Sequence, residues 1–378
     1  MCSSDLYWRL DRPVPPGVHL RHVPQATDDA LRRAGEDVFA VPLARWPQPP
    51  VEFTVLRAPG RGDHLVMRFP HALMDARGAM TVLDELDRLD TERPATADLA
   101  TVGDERRRDY AAQFAGLTMG ERLGLLGGGP SPLPAAPGGR GLFQLAAEPI
   151  PRDLGRVRYT VRALSAADVQ RAQDNALRAC GPARFGDFLR ACGLVALHRL
   201  CGRRVSPGTL YSTYNLLDIR PRRANPVCWN LTSSLPLAIP ARLAVDRRAV
   251  ADLLREQMLG HLAARTALRS FARLALLMQP PTAAVAAVIH AGWQPGRRPR
   301  PQHGAAPTPS LPLGLIGRFA RPMPSYHGFR TPLPDTGFAL DANMTDTGMS
   351  ITAAWLEGRL AASTVGALLD GLVGVLLE

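Results

Sequence analysis

The stretch Phe69-Pro70-His71-Ala72-Leu73-Met74-Asp75-Ala76-Arg77-Gly78 stands where the periodicity of the chain changes. Before it, Val51–Arg57 and Asp63–Phe69 read as neighbouring strands joined by the turn-like Ala58–Gly62. After it, Met80, Leu83, Leu86 and Leu89 recur at helical spacing, with Asp84, Glu85 and Asp87 between them. His71–Gly78 therefore connects a buried strand to an amphipathic helix. Such a connection suits chemistry, because a rigid strand holds the side chain and free helix N–H groups point toward it.

Further along, Gly116–Gly141 is dense in Gly and Pro and reads as a mobile crossover. Val157–Ala163 reads as a strand, and Ser165 as the cap of a helix that begins at Ala166. Phe185–Cys201 is a second, more apolar helix. Leu210–Leu216 and Thr232–Ile239 read as strands, and Asp246–Ala267 and Leu268–Met278 as helices. Beyond a Pro/Arg-rich loop at Gly292–Pro309 come the last strands, at Gly337–Asn343 and Gly348–Trp355, then a helix from Ser363. Strands and helices of mixed length with hairpin-like returns predict mixed α/β sheets rather than one doubly wound sheet. The expected division is 1–115 for an N-terminal lobe, 116–150 for the crossover and 151–378 for a C-terminal lobe.

With 378 residues and 46% hydrophobic content, the chain can bury a core of two domains. The net charge of +11 raises nucleic acid as a partner, yet all 45 basic residues are arginine, as GC-rich codon usage would produce. The densest basic runs, Arg106–Arg108 and Arg297–Arg300, carry no interleaved aromatics on which bases could stack, so no nucleic acid is expected. Five cysteines without C-x-x-C spacing fit neither a disulfide framework nor a zinc site, which predicts a reducing, cytoplasmic setting. No apolar run is long enough for a transmembrane segment. A monomer is the expected state.

The pattern His-x-x-x-Asp at His71 and Asp75 admits three readings. A histidine before an apolar helix can be a hydrogen-bonded structural residue. A His/Asp pair can ligate a metal, but no third ligand cluster accompanies it, and no metal is expected. Third, imidazole titrates near neutral pH, so His71 can accept a proton and return it in acid–base catalysis.

In its setting between strand and helix, this pattern resembles the active-site motif of the chloramphenicol-acetyltransferase-like superfamily. That group includes nonribosomal-peptide condensation domains, wax ester synthases and polyketide-associated acyltransferases. Pro70 stands where many members carry the first of two adjacent His, the second being the base, and Ala76 stands where many carry Gly. Asn215–Pro221 and Asn230–Leu237 resemble the C-terminal lobe of the same group. Members usually carry a first strand and helix well before the motif, so a chain lacking part of its N-terminal lobe is expected.

The resemblance implies two lobes with the site at their interface, and acyl transfer from acyl-CoA or an acyl-carrier protein to a small alcohol or amine. Coenzyme A or phosphopantetheine would be the co-substrate, with no permanently bound cofactor. His71 would be the general base, and Asp75 would hold the loop through an arginine not identifiable from sequence. N–H groups at Ala76 and Gly78 would face the oxyanion, and Asn230, Ser233, Ser234 and Arg220 would line the tunnel or meet substrate. For Arg220 a solvated turn arginine is the competing reading, and for the hydroxyls local backbone bonding. The alternative functions are a condensation catalyst joining carrier-bound groups and a degenerate module that docks carriers without turnover.

Overall fold

A computed structural model describes residues 17–25, 27–41, 43, 51–71, 73–92, 114, 116–127, 141–146, 155–182, 184–206, 208–220, 230–277, 309–318 and 325–378. A three-stranded sheet is built from β1 (Gly17–His22), β2 (Glu52–Arg57) and β3 (Asp63–Arg68), with β2 central. β1 runs parallel to β2, and β3 antiparallel. Alternation along β2 turns Glu52, Thr54 and Leu56 inward. Leu56 packs on Leu31, Ala34 and Val38 of α1 (Asp28–Ala40), whose N-terminus is capped by the Thr27 hydroxyl. Glu52 faces Arg68 across the β2–β3 pair, and Arg68 also donates to the Val38 and Val41 carbonyls.

The second, larger core forms around α5 (Phe185–Cys201). Phe188, Leu189, Leu194 and Leu197 have no exposed surface, and each contributes about 1.5–3 kcal/mol by burial. α5 is apolar on nearly every face because α4 (Ala166–Cys180), α6 (Arg247–Ala263) and α8 (Ala362–Leu377) surround it, with a mixed sheet beneath. That sheet runs β4 (Val157–Ser165), β9 (Gly348–Leu356), β8 (Phe338–Met344), β7 (Leu313–Arg318); only β7 and β8 pair in parallel. β5 (Leu210–Asp218) and β6 (Thr232–Pro240) form a separate antiparallel pair beside β7. The mixed α/β class expected from sequence is the class observed.

Several boundaries differ from the sequence reading. The helix expected from Asp246 to Ala267 ends at Ala263; Arg265 adopts φ 50°, and α7 (Thr266–Leu277) starts afresh. Within the Gly/Pro-rich crossover, α3 (Met119–Gly127) is helical, and much of the remainder lies outside the described residues. The loop at Gly292–Pro309 falls almost wholly outside them. On α2 (Ala76–Glu92) only Gly78, Ala79 and Met80 are buried, so Leu83 and Leu86 do not form the core stripe their spacing suggested. β1 and α1, which precede the motif, went unassigned in the sequence reading. Cys192 and Cys201 are buried and Cys180 partly so, as small core residues; burial pushes the Cys192 thiol up to about 12.

The two halves are joined by charge. Glu36 of α1, 3% exposed, accepts from Arg32, from Arg158 on β4 and from the Tyr159 N–H. Among the described residues, no helix is long and apolar enough to cross a membrane.

Candidate active site

His71 sits in the turn between β3 and α2, where the Leu73 N–H returns to the Pro70 carbonyl at 2.8 Å. The backbone then enters α2 with the Ala79 N–H bonded to the Asp75 carbonyl at 2.9 Å. Asp75 closes this turn in the manner of a helix cap, accepting the Gly78 N–H on Oδ1 at 2.8 Å.

The rest of the Asp75 carboxylate belongs to the second half of the chain. Arg220 grips it bidentately, Nη2 to Oδ1 at 2.7 Å and Nη1 to Oδ2 at 3.1 Å. Oδ2 also accepts the Leu231 N–H at 2.8 Å and the Thr232 hydroxyl at 2.7 Å. Burial alone raises the Asp75 carboxyl; Arg220, the Gly78 N–H and the Thr232 hydroxyl outweigh it and hold the group below the usual carboxylate range. Asp218 Oδ1 accepts from the same Arg220 Nη1 at 2.9 Å. The arginine that sequence could not identify is Arg220, and its carboxylate contacts replace the solvated-turn reading.

His71 itself is exposed to a cleft of ≈ 2230 Å³ that runs along α1, β2, β3, α2, β4, β5, β6, β7 and the segment 325–333. Asn230, just before β6, reaches it from the other half. Its Nδ2 donates to the His71 carbonyl at 2.9 Å and lies 3.2 Å from Nδ1. With the amide so oriented, Nδ1 accepts and the ring proton rests on Nε2. Turning the amide would set its oxygen against the His71 carbonyl, so the contacts favour this tautomer.

The remaining expected site residues divide. Ala76, Asn230 and Ser234 line the cleft with His71. Ser233 does not: strand alternation turns it inward, where it is buried opposite Leu217. The Gly78 N–H, expected to face an oxyanion, is already given to Asp75. Arg220 faces carboxylates rather than the cleft. Leu83 and Leu86 of α2 line the cleft, which explains their exposure.

Sequence reading missed a group of polar side chains in the cleft lining. Asp341 in β8, Arg330, His327, Tyr326 and Tyr214 all line the same cleft. No local spacing could have announced them, since they gather from two strands and a loop. Among the described residues, no three His, Cys, Asp or Glu side chains are placed to hold a metal ion.

No family model and no curated protein sequence matches the chain. Solved structures do. The first condensation domain of the CDA synthetase superimposes with a TM-score of 0.59 at 14% identity, covering 97% of this chain and 75% of that one. TRI3 trichothecene 15-O-acetyltransferase from Fusarium sporotrichioides gives 0.58 at 14% identity, covering 95% and 76%. F. sporotrichioides TRI101, solved with coenzyme A and T-2, gives 0.58 at 12% identity, covering 95% and 80%. The chain thus has the two-lobed mixed α/β fold shared by nonribosomal-peptide condensation domains and chloramphenicol-acetyltransferase-like acetyltransferases.

Proposed function

We propose that this protein transfers an acyl group from a thioester, carried by coenzyme A or a carrier protein, to an alcohol or amine, with His71 as general base. The observation that carries the reading is the division of labour in the motif. The buried Asp75 carboxylate is engaged by Arg220, the Gly78 N–H and the start of β6, while the His71 side chain is exposed to the cleft. In this mechanism unprotonated His71 takes the proton of the acceptor as its oxygen or nitrogen bonds to the thioester carbon. The resulting oxyanion lies beside the start of α2, near the Ala76 N–H. Collapse breaks the C–S bond, and His71 returns the proton to the thiolate. The apolar reach of Leu83 and Leu86 suits an acyl chain. We further propose that 1–115 and 151–378 act as the two lobes and that the protein works as a monomer in the cytoplasm.

One observation favours a second reading, a module that docks carriers without turnover: the Asn230 amide occupies the lone pair of His71 Nδ1, the unprotonated nitrogen of this tautomer. Intact-mass detection of transfer from a panel of acyl-CoA and acyl-carrier donors separates the two. His71→Ala should keep the fold and donor binding while turnover falls by roughly two to four orders of magnitude. Turnover should also rise with pH, since only unprotonated imidazole accepts the proton. A docking module binds donor equally in both forms and turns over in neither; a condensation catalyst acts only on carrier-bound pairs. Retention of most wild-type turnover by His71→Ala would remove the mechanism.

A further inference from the structure

The three-stranded sheet has two faces, and the pairing register assigns each side chain to one of them. Leu56 turns toward α1, with Glu52 and Thr54 on the same face. On the opposite face Val18, Phe53 and Met67 form one cross-strand row, and Leu20, Val55 and Leu65 form the next. All six are apolar. The motif turn and the first turn of α2 cover one end of this face, where Leu73, Met74 and Ala79 pack with Met67 and Val51. Beyond that contact the face is open: Val18 is 68% exposed and Leu65 48%, and Phe53 and Val55 are only half-buried.

A sheet face left to water normally carries polar side chains, and a contiguous apolar patch marks a place where something binds. This patch belongs to the cleft that exposes His71. Val18, Phe53, Val55, Leu65 and Met67 all line that cleft. Leu83 and Leu86 line it from α2, three residues apart and so on one side of the helix. Asp87 and Asp90 follow on the same helix and also border the cleft, so the apolar run on α2 ends at Leu86. Of the groups that acyl transfer brings together, the acyl chain alone is apolar throughout. The phosphopantetheine arm carries amides and the acceptor a hydroxyl or amine, and this face offers no side chain to hydrogen-bond either.

Resting on the reading of His71 as base, we propose that this sheet face and the Leu83–Leu86 side of α2 form the donor's acyl-chain site, and that the chain is long. From Ala76, at the motif, to Leu86 the helix rises about 15 Å. An extended alkyl chain advances about 1.3 Å per carbon, so roughly ten to twelve carbons reach Leu86. Leu83 and Leu86 are then the residues that set chain-length preference.

The test uses S-alkyl pantetheine thioethers of increasing chain length, which cannot transfer their chain and so report binding apart from chemistry. Titrated into the whole protein by calorimetry, their affinity rises about threefold to fourfold per methylene up to roughly ten to twelve carbons, then levels. Leu86→Trp fills the far end, and the preference for long over short chains falls by about tenfold or more. With acyl-CoA and acyl-carrier donors, kcat/KM follows the same length profile. Affinity that stays flat across the series overturns the inference, whether or not His71→Ala abolishes turnover; a dimer in sedimentation equilibrium would then assign the face to a second copy. A length profile unchanged in folded Leu86→Trp puts the chain elsewhere and overturns it too. Length-dependent binding that Leu86→Trp shortens, with turnover retained by His71→Ala, upholds the site and removes only the base. If Leu86→Trp does not fold, the wild-type series decides alone.

Discussion

Replacing Asp75 by asparagine keeps the shape of the side chain and removes its charge, so it isolates what the carboxylate holds together. Asp75 accepts five hydrogen bonds, two of them from Arg220. An amide has one oxygen. If its nitrogen takes the Oδ1 place, it confronts the Gly78 N–H and Arg220 Nη2; in the Oδ2 place it confronts the Leu231 N–H and Arg220 Nη1. Either way two donors face a donor, and a buried guanidinium loses its main counter-charge. Breaking a buried pair by removing one partner costs about 3–5 kcal/mol. Asp218 remains beside Arg220 at 2.9 Å, so the lower end, about 3 kcal/mol, is expected. Denaturant titration measures this, and a cycle with Arg220→Ala should give a coupling of about 2 kcal/mol.

The pH dependence has a definite sign. The folded-state carboxyl lies below its unfolded value, so its stabilisation is complete above about pH 3.9 and fades as pH falls through the lower folded value. Wild type and Asp75→Asn should therefore converge in strong acid. Strict additivity of Asp75→Asn and Arg220→Ala at neutral pH, or wild-type stability with turnover abolished, would refute the reasoning and point to a direct chemical role for Asp75.

Ser165→Ala removes one half of the capping box with Asp168 at the start of α4 and should cost about 1 kcal/mol in denaturant titration, with faster amide exchange confined to the first turn. Gly314→Ala places a methyl against Asp341 Oδ1 and should destabilise by about 1–3 kcal/mol in thermal unfolding; adding Asp341→Ala should recover part of that loss, and no recovery would mean the clash lies elsewhere.

Local pattern made much of this molecule legible. Period-two strands around the motif, the uniformly apolar α5 and the Ser165 cap each declare themselves within a dozen residues. α3 carried a readable signal too: Thr118 and Glu121 form a capping box, with the Thr118 N–H on Glu121 Oε2 at 2.8 Å and the Glu121 N–H on Thr118 Oγ1 at 3.2 Å. Surrounding glycines and prolines masked it. β1 hid for another reason: all but one of its residues are exposed, so no alternation marks it. The site was half legible. His71 and Asp75 share one turn, but the Arg220 partner lies 145 residues on, and Asp341 enters from a strand whose buried run reads as plain core. Pairings of that kind are set by how sheets assemble, which no short window records.

The Asp75 hub also has a timetable. Its last ligand, the Thr232 hydroxyl, lies 157 residues downstream. At ribosomal rates of about 5–20 residues per second, the histidine-bearing turn emerges roughly 8–30 s before the strand that secures it. During that interval a nascent chain displays the motif without the clasp, and neither half made separately contains a finished turn. Acquisition of the site is thereby tied to the synthesis of β6, an event in the second half of the chain, long after the histidine itself has been translated.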